Sequence, residues 1–303
     1  MLKHFDSLLE LTEAFPDEQA AIDHFTAIRW KDGAFCPYCG SLTVYHFSDK
    51  RTHKCGDCHQ RFSIKVGTIF EDTKLPLRKW FMAIWLITSH KKGVSSAQLA
   101  RDIKITQKSA WFMLHRLRHA ARTRSFNRPL KGEVEVDETF IGGKDKNKHA
   151  NQRGGQRGPK GKTAVFGLLE RGGEIRARKM ESLAASEVQG EIARHVEPGA
   201  NVMTDEYIGY RGLDERFNHH TVNHSAGEYV KNYFCHVNGI EGAWGLFKRQ
   251  IYGIHHFVST KHLDRYLDEM TWRYNRRESG EGERVNELLS LVAGRLTYRT
   301  LIA

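Results

Sequence analysis

The chain has 303 residues and a formal net charge of +11, from 47 Lys and Arg against 36 Asp and Glu. Its hydrophobic content of 40% excludes a disordered polycation, and its length predicts about two folded domains. The longest apolar run, residues 80–88, is about half of the roughly 20 residues that a membrane helix needs, and the first residues do not form an export signal. We therefore expect a cytoplasmic protein with a polyanionic partner and no membrane contact.

Four of the five cysteines form two Cys-x-x-Cys pairs. Fifteen residues separate the pairs, a spacing typical of a four-thiolate zinc site, and the segment between them predicts two short strands around a polar turn at residues 48–50. Two disulfides would require export, and a redox dithiol needs only one pair. We predict a zinc ribbon that binds one structural zinc ion per chain through Cys36, Cys39, Cys55 and Cys58. Cys235 is expected to be a buried thiol.

Four helices are expected around and after the ribbon. Residues 17–30 carry apolar positions at helical spacing behind an N-cap at Asp17, and residues 77–90 are hydrophobic nearly all round. Residues 95–102 and 106–118 predict two more helices separated by a turn of about four residues. This pattern is typical of a helix-turn-helix, and an ordinary helical hairpin with a solvated basic face is the alternative.

The second helix of this pair is the candidate recognition helix. Gln107, Lys108 and Ser109 lie at its start, where side chains meet base edges in a helix-turn-helix. Arg116 is expected to lie near phosphates, while the apolar positions of the helix face inward. The interpretation predicts sequence-specific contact with DNA.

A basic segment follows. Residues 142–162 hold seven Lys and Arg, one Asp and six Gly, which predicts a flexible loop. The loop is either a disordered insertion or a segment that tightens on a nucleic-acid backbone by releasing counterions, and the two descriptions are compatible. The candidate DNA contacts in this loop are Lys144, Lys146 and Lys148.

Three carboxylates are candidates for a catalytic site. Residues 132–140 alternate as a strand that places Asp137 on the face opposite its valines, close to the strand's end. A second short apolar strand ends at Asp205, and Glu241 lies in a predicted helix after a further 35 residues. Lys248, two turns after Glu241, shares its helical face. Carboxylates are common at such places, and the neighbouring acids Glu135, Glu138 and Glu206 show that other choices exist.

The order of these features resembles a known group of proteins. The two aspartates and the helix glutamate are similar to the DDE triad of ribonuclease-H-like transposases and integrases. Bacterial insertion-sequence transposases of the ISXO-like type, which carry an N-terminal zinc ribbon, resemble this chain over residues 15–278. The similarity rests on the cysteine pairs and on the stretches VDETFIGGK, TDEYIGY and HVNGIEGAWGLFKRQIYGIHHFVSTKHLDRYLDEMTWRYNRR.

The resemblance implies an α/β fold. We expect a ribonuclease-H-like catalytic domain with a mixed five-stranded sheet flanked by helices, preceded by the zinc ribbon and the helix-turn-helix. The expected divisions are an N-terminal helix and ribbon over 1–75, the helix-turn-helix region over 76–128, the catalytic domain over 129–280 and a C-terminal tail over 281–303.

The resemblance also implies a function. A nucleoid-associated prokaryotic transposase would bind the terminal inverted repeats of its insertion sequence and carry out metal-dependent DNA cleavage and strand transfer, as a homo-oligomer on paired ends. Asp137, Asp205 and Glu241 would hold two Mg²⁺ or Mn²⁺ ions, which prefer oxygen ligands. Asn238 is implied as an extra contact near the site, and Lys248 as a phosphate contact. A catalytically silent DNA-binding regulator and a nuclease without strand transfer are the alternatives.

Overall fold

The computed structural model describes residues 2–122, 128–143, 161–223, 230 and 234–302. Contacts divide the chain into two compact units. The N-terminal unit comprises residues 1–121 with 278–303, and the sheet unit comprises residues 122–277. Among the described residues, no helix is both long enough and apolar enough to cross a membrane.

The N-terminal unit begins with helices α1 (Leu8–Ala14), α2 (Glu18–Arg29) and α3 (Leu77–Ser89). Asp17 accepts a hydrogen bond from the Ala20 amide, which confirms the predicted N-cap of α2. Helix α3 buries eight of its thirteen residues, because its apolar side chains surround the helix rather than forming one stripe. The predicted helices are therefore present.

The ribbon lies between α2 and α3. Strands β1 (Val44–His46), β2 (Thr52–Cys55) and β3 (Arg61–Ser63) form an antiparallel sheet in that order. Asp49 shapes the turn between β1 and β2 because its Oδ1 accepts hydrogen bonds from the amides of Arg51 and Thr52, each at 2.9 Å. The two strands and their polar turn are confirmed, and β3 is an additional strand.

Helices α4 (Ser96–Asp102) and α5 (Gln107–Ala120) form the predicted pair. Lys104, in the turn between them, has a left-handed φ of 50°. Thr106 Oγ1 accepts a hydrogen bond from Ser109 N at 3.2 Å and so caps α5. The apolar positions expected to face inward are all buried, namely Ala110, Met113, Leu114 and Leu117.

The C-terminal residues belong to the N-terminal unit by contact. Helix α9 (Glu281–Ser290) packs against α2 and α3, and the short α10 (Tyr298–Ile302) follows it. The segment that we expected to be a tail is thus helical, and it buries Val285, Leu288 and Leu289. The four domain divisions drawn from the sequence stay a prediction.

The sheet unit is built on five described strands. They lie in the order β6-β5-β4-β7-β8, with β4, β5 and β6 antiparallel and with β7 and β8 parallel to β4. The strands are β4 (Glu133–Ile141), β5 (Thr163–Glu170), β6 (Ile175–Met180), β7 (Asn201–Thr204) and β8 (Asn218–Thr221). This mixed sheet confirms the expected ribonuclease-H-like α/β fold.

Helices cover both faces of the sheet. Helix α6 (Ala185–His195) packs against Val134 and Val136 of β4 on one face. Helices α7 (Asn238–Gln250) and α8 (Leu263–Asn275) form a second core on the other face. Ser182 Oγ accepts a hydrogen bond from Ala184 N, and this local turn directly precedes the first residue of α6.

Candidate functional site

The four predicted zinc ligands converge at the tip of the ribbon. The Sγ atoms of Cys36 and Cys58 lie 3.7 Å apart, and those of Cys39 and Cys55 lie 3.6 Å apart. A tetrahedral ion with Zn–S bonds of about 2.3 Å has S–S edges of about 3.8 Å, so the cysteines fit zinc. The amide of Tyr38 also donates to Cys36 Sγ at 3.4 Å. Four thiolates complete the tetrahedron, which makes the site structural rather than catalytic.

Asp137 lies in the middle of β4. The prediction that it lies close to the strand's end is wrong, because β4 pairs with β5 from Val134 to Ile141. On its other side, β4 pairs with β7 only through residues 133–135, as far as the described residues show. Asp137 therefore lies two residues beyond the parallel ladder, where the β7 side of the strand opens.

Asp205 directly follows the last residue of β7, as predicted. Continuing the parallel register by two residues from Glu135 and Met203 would bring Asp205 opposite Asp137. Its Oδ1 accepts a hydrogen bond from Tyr207 N at 3.0 Å, which orients the carboxylate at the end of the strand. The two aspartates therefore share one edge of the β4–β7 ladder.

Glu241 lies in the first turn of α7, as predicted, and its side chain is exposed. Helix α7 approaches the sheet closely at Gly167, the β5 residue directly opposite Asp137. A Cβ atom at Gly167 would lie 2.4 Å from Cζ2 of Trp244, so glycine is required for this approach. The helix that carries the third carboxylate consequently lies over the strand pair that carries the first.

The charges of these groups affect one another. Burial raises the pKa of Asp137, and the negative charges of Glu138, Asp205 and Glu241 raise it further, to about 8. Burial also raises the pKa of Glu138, whose Oε2 accepts a hydrogen bond from Tyr210 Oη at 2.6 Å. A cation at this site would relieve the repulsion among the carboxylates.

The spacing of the candidate metal ligands differs between the cysteine site and the carboxylate site. In the part of the chain that the structure describes, the four cysteines alone form a tight metal-binding cluster, with ligand atoms within 4.8 Å of one another. Asp137, Asp205 and Glu241 are not clustered so tightly. Carboxylate oxygens are the ligands that Mg²⁺ and Mn²⁺ prefer, so the chemistry of this donor set fits divalent cations rather than zinc.

Other predicted residues lie on or before α7. Asn238 is its exposed first residue, and Lys248 is exposed two turns after Glu241 on the same helical face. Cys235 is buried, as expected of a structural thiol. Tyr210 was missed by the sequence analysis, since it lies in a short 3₁₀ turn that has no periodic pattern. Its contact with Glu138 emerges only in the fold.

The candidate DNA contacts fall into three groups. Gln107 and Lys108 are exposed at the start of α5, and Ser109 beside them is half-buried. Arg116 is 7% exposed, and its Nη1 donates to the carbonyl oxygens of Ile69 at 2.6 Å and of Glu71 at 3.0 Å. The structure therefore contradicts its placement near phosphates. The third group, Lys144, Lys146 and Lys148, lies outside the described residues.

Two families match the chain in the order expected. The transposase zinc-ribbon domain matches residues 16–61, and the ISXO2-like transposase domain matches residues 129–275. The second match spans the strands and helices that carry all three candidate catalytic carboxylates.

Similar proteins extend the match beyond these domains. An uncharacterized protein in transposable element ISH50 of Halobacterium salinarum is 31% identical over 271 residues, which cover 84% of this chain and 90% of that protein. An uncharacterized transposase-like protein of Haemophilus influenzae is 32% identical over 106 residues, or 35% of this chain and 82% of that protein. The crystal structure of the Mos1 strand transfer complex matches with 14% identity over 72% of this chain and 77% of that chain, at a TM-score of 0.28. The ISXO2-like domain match, together with the identity to a transposable-element protein over most of both chains, shows that the chain belongs to the ISXO2-like transposases.

Proposed function

We propose that Asp137, Asp205 and Glu241 form the catalytic site with which this transposase cleaves and joins DNA. The observation that carries the proposal is their convergence from three separate elements: the middle of β4, the end of β7 and the first turn of α7. The charges of Asp205 and Glu241 both act on Asp137, which supports a shared cation site.

Phosphodiester cleavage requires an activated nucleophile and a stabilised leaving oxygen, and a pair of bound Mg²⁺ or Mn²⁺ ions supplies both. Asp137, whose carboxyl is affected by the charges of both other acids, would contact both ions, and Asp205 and Glu241 would each contact one. Lys248 would hold a phosphate by its charge, and Asn238 would orient the strand at the start of α7.

The reaction proposed for this site has two steps. Water first breaks the phosphodiester bond at the end of the element and leaves a 3′-hydroxyl. That hydroxyl then attacks a phosphate of the target DNA in the same site, joining the element to the target and displacing a target 3′-oxygen. The carboxylates serve both steps, because each step replaces one oxygen on phosphorus by another.

We assign recognition of the terminal inverted repeats to the exposed start of α5. Gln107 and Lys108 are the side chains that would meet base edges, with Ser109 beside them. The net charge of +11 favours binding to the DNA backbone. Two ends have to be brought together for strand transfer, so we expect a homo-oligomer on paired ends.

The test is cleavage and strand transfer on a substrate that carries the element's end and flanking DNA. Asp137→Asn, Asp205→Asn and Glu241→Gln should each abolish both activities in Mg²⁺ and Mn²⁺ while leaving end binding intact in a band-shift assay. Glu187→Gln, at an exposed position of α6, is the matched control and should cleave normally. Smaller losses are expected for Asn238→Ala and Lys248→Ala.

Two outcomes would change the assignment. A native chain that binds its ends but never nicks DNA in either ion would be a silent regulator. Normal cleavage by Glu241→Gln, with both aspartate variants inactive, would place the third ligand elsewhere, and Asn238 or Glu206 would be tested next.

A further inference from the structure

A buried ion cluster lies beside the candidate catalytic carboxylates. Glu135 is on β4, two residues before Asp137 and on the same face of the sheet, and it is 1% exposed. Arg171, just after β5, donates from Nε to Glu135 Oε1 at 2.7 Å. His236 Nδ1 lies 3.3 Å from the same oxygen. Burying a carboxylate is unfavourable unless its oxygens are paired, and the contacts of Glu135 meet this requirement.

The second oxygen of Glu135 caps helix α7. Its Oε2 accepts a hydrogen bond from Ile240 N, in the first turn of the helix, at 2.9 Å. The N-cap residue of α7, Val237, has no side-chain acceptor for the first amides, so a carboxylate from the neighbouring strand supplies one. The negative charge also interacts favourably with the helix dipole. Gly239 allows the contact, since a Cβ there would lie 2.8 Å from Oε2.

Arg171 holds the segment that leads into α7. Its Nη1 donates to the Phe234 carbonyl at 2.7 Å, and its Nη2 donates to the His236 carbonyl at 2.8 Å. The same guanidinium contacts Glu133 Oε2 at 3.1 Å. A guanidinium has five donors in a fixed planar arrangement, so one side chain links two carboxylates of β4 to the backbone just before the helix.

We infer that Glu135 and Arg171 are positioning residues that fix Glu241 relative to Asp137, an inference that rests on the catalytic role proposed for Glu241. Ile240, whose amide donates a hydrogen bond to Glu135, directly precedes Glu241 in the chain. Glu135 and Asp137 share one strand, so the cluster ties the start of α7 to the strand that carries the first catalytic acid. Glu135 is buried and both of its oxygens accept hydrogen bonds from the protein, so we assign it to positioning Glu241 rather than to metal binding.

The test uses Glu135→Gln in the full chain. The amide side chain keeps the shape but has one acceptor oxygen where two N–H donors point, so it loses the contact with Ile240 or with Arg171. Hydrogen exchange of residues 238–241, measured without added divalent ions, should be at least about tenfold faster than in the native chain. Cleavage should slow by about 10–100-fold and should need more Mg²⁺ for half-maximal rate.

The matched control is Glu191→Gln. Glu191 is 3% exposed on α6, across the sheet from α7, and accepts hydrogen bonds from Arg178 and Arg194. The Glu191→Gln variant should leave hydrogen exchange at residues 238–241 and the Mg²⁺ dependence of cleavage unchanged. Arg171→Lys is a second variant that keeps the charge but loses the planar set of donors, and it should act like Glu135→Gln.

The inference is overturned if Glu135→Gln and Arg171→Lys show native exchange at residues 238–241 or a native Mg²⁺ dependence. It is also overturned if Glu191→Gln produces the same changes, since the effect would then be a general loosening of the sheet unit. Normal cleavage by Glu241→Gln would instead refute the proposed role of Glu241, and the exchange measurement would still report whether Glu135 holds the helix.

Discussion

Replacing Gly167 by alanine tests how closely α7 has to approach the sheet. Gly167 lies opposite Asp137, and a Cβ there would lie 2.4 Å from Cζ2 and 2.6 Å from Cη2 of Trp244. Carbon atoms do not approach so closely in folded proteins, and the Trp244 side chain is 3% exposed with little room to move. The indole ring, or the helix that carries it, therefore has to shift in Gly167→Ala.

The size of the effect follows from two opposing contributions. Overpacking a core lowers the free energy of unfolding by about 1–3 kcal/mol. Replacing glycine by alanine raises it by about 0.4–1 kcal/mol, because alanine restricts the unfolded chain, so the net decrease is about 0.5–2 kcal/mol. At about 2–4 °C per kcal/mol, the Tm should fall by about 1–8 °C. Trp244 follows Glu241 by three residues on α7, and a shift of about 1 Å at a reacting group can slow the reaction about 100-fold.

Thermal unfolding and the cleavage assay measure the two effects. Gly245→Ala is the control, because its Cβ would meet only the Arg249 guanidinium at 3.7 Å, and alanine favours a helix by about 0.5–1 kcal/mol. Trp244→Phe removes the two atoms that clash, so the double variant with Gly167→Ala should lose less stability than the sum of the single variants. A Gly167→Ala chain with native Tm and native cleavage would refute the close approach.

Three further predictions concern the zinc site, the DNA interface and the charge of the site. Cys55→Ser should lose zinc and unfold the ribbon, because so small a unit has little core without the ion; full zinc occupancy by elemental analysis would contradict the four-thiolate site. The double variant Gln107→Ala, Lys108→Ala should bind element ends and random DNA with more similar affinities than the native chain does. If the variant loses affinity equally for both DNAs at several salt concentrations, these side chains do not contact bases. Burial and neighbouring charges raise the pKa of Asp137 to about 8, so the folded protein favours the protonated carboxyl. The free energy of unfolding therefore falls as the pH rises from the pKa of Asp137 in the unfolded chain to about 8. In the absence of divalent ions, Asp137→Asn should therefore raise the Tm more at about pH 9 than at about pH 5. An equal change in Tm at both pH values would contradict the raised pKa of Asp137.

Periodicity in the sequence predicted the elements that bury an apolar face. Helices α2 and α3 follow the expected ranges closely. Strand β8 was not predicted, because its residues Asn-His-His-Thr are polar and it lies at the edge of the sheet, where little of it is buried. Strand β3 has three residues and is separated by two residues from the second cysteine pair, so its pattern is too short to distinguish from a turn.

Arg116 shows why the DNA interface was only partly predictable. Its position on α5 predicts a basic residue near phosphates, whereas the structure buries it over the Phe112 ring and pairs it with the carbonyls of Ile69 and Glu71. Those carbonyls lie 47 and 45 residues earlier in the chain. Helical periodicity describes contacts within about two turns and carries no information about such partners.

The structure corrects the argument by which the sequence identified Asp137 as a candidate site residue. The sequence placed it near a strand's end, but β4 continues to Ile141 against β5, and what ends is the parallel ladder with β7. The accessible edge is therefore set by the length of β7 rather than by the length of β4. If β7 were two residues longer, Asp205 would enter the ladder and the backbone beside Asp137 would be paired. Because β7 stops at Thr204, both aspartates lie just past the last paired residues of the β4–β7 ladder, where their carboxylates can face the start of α7.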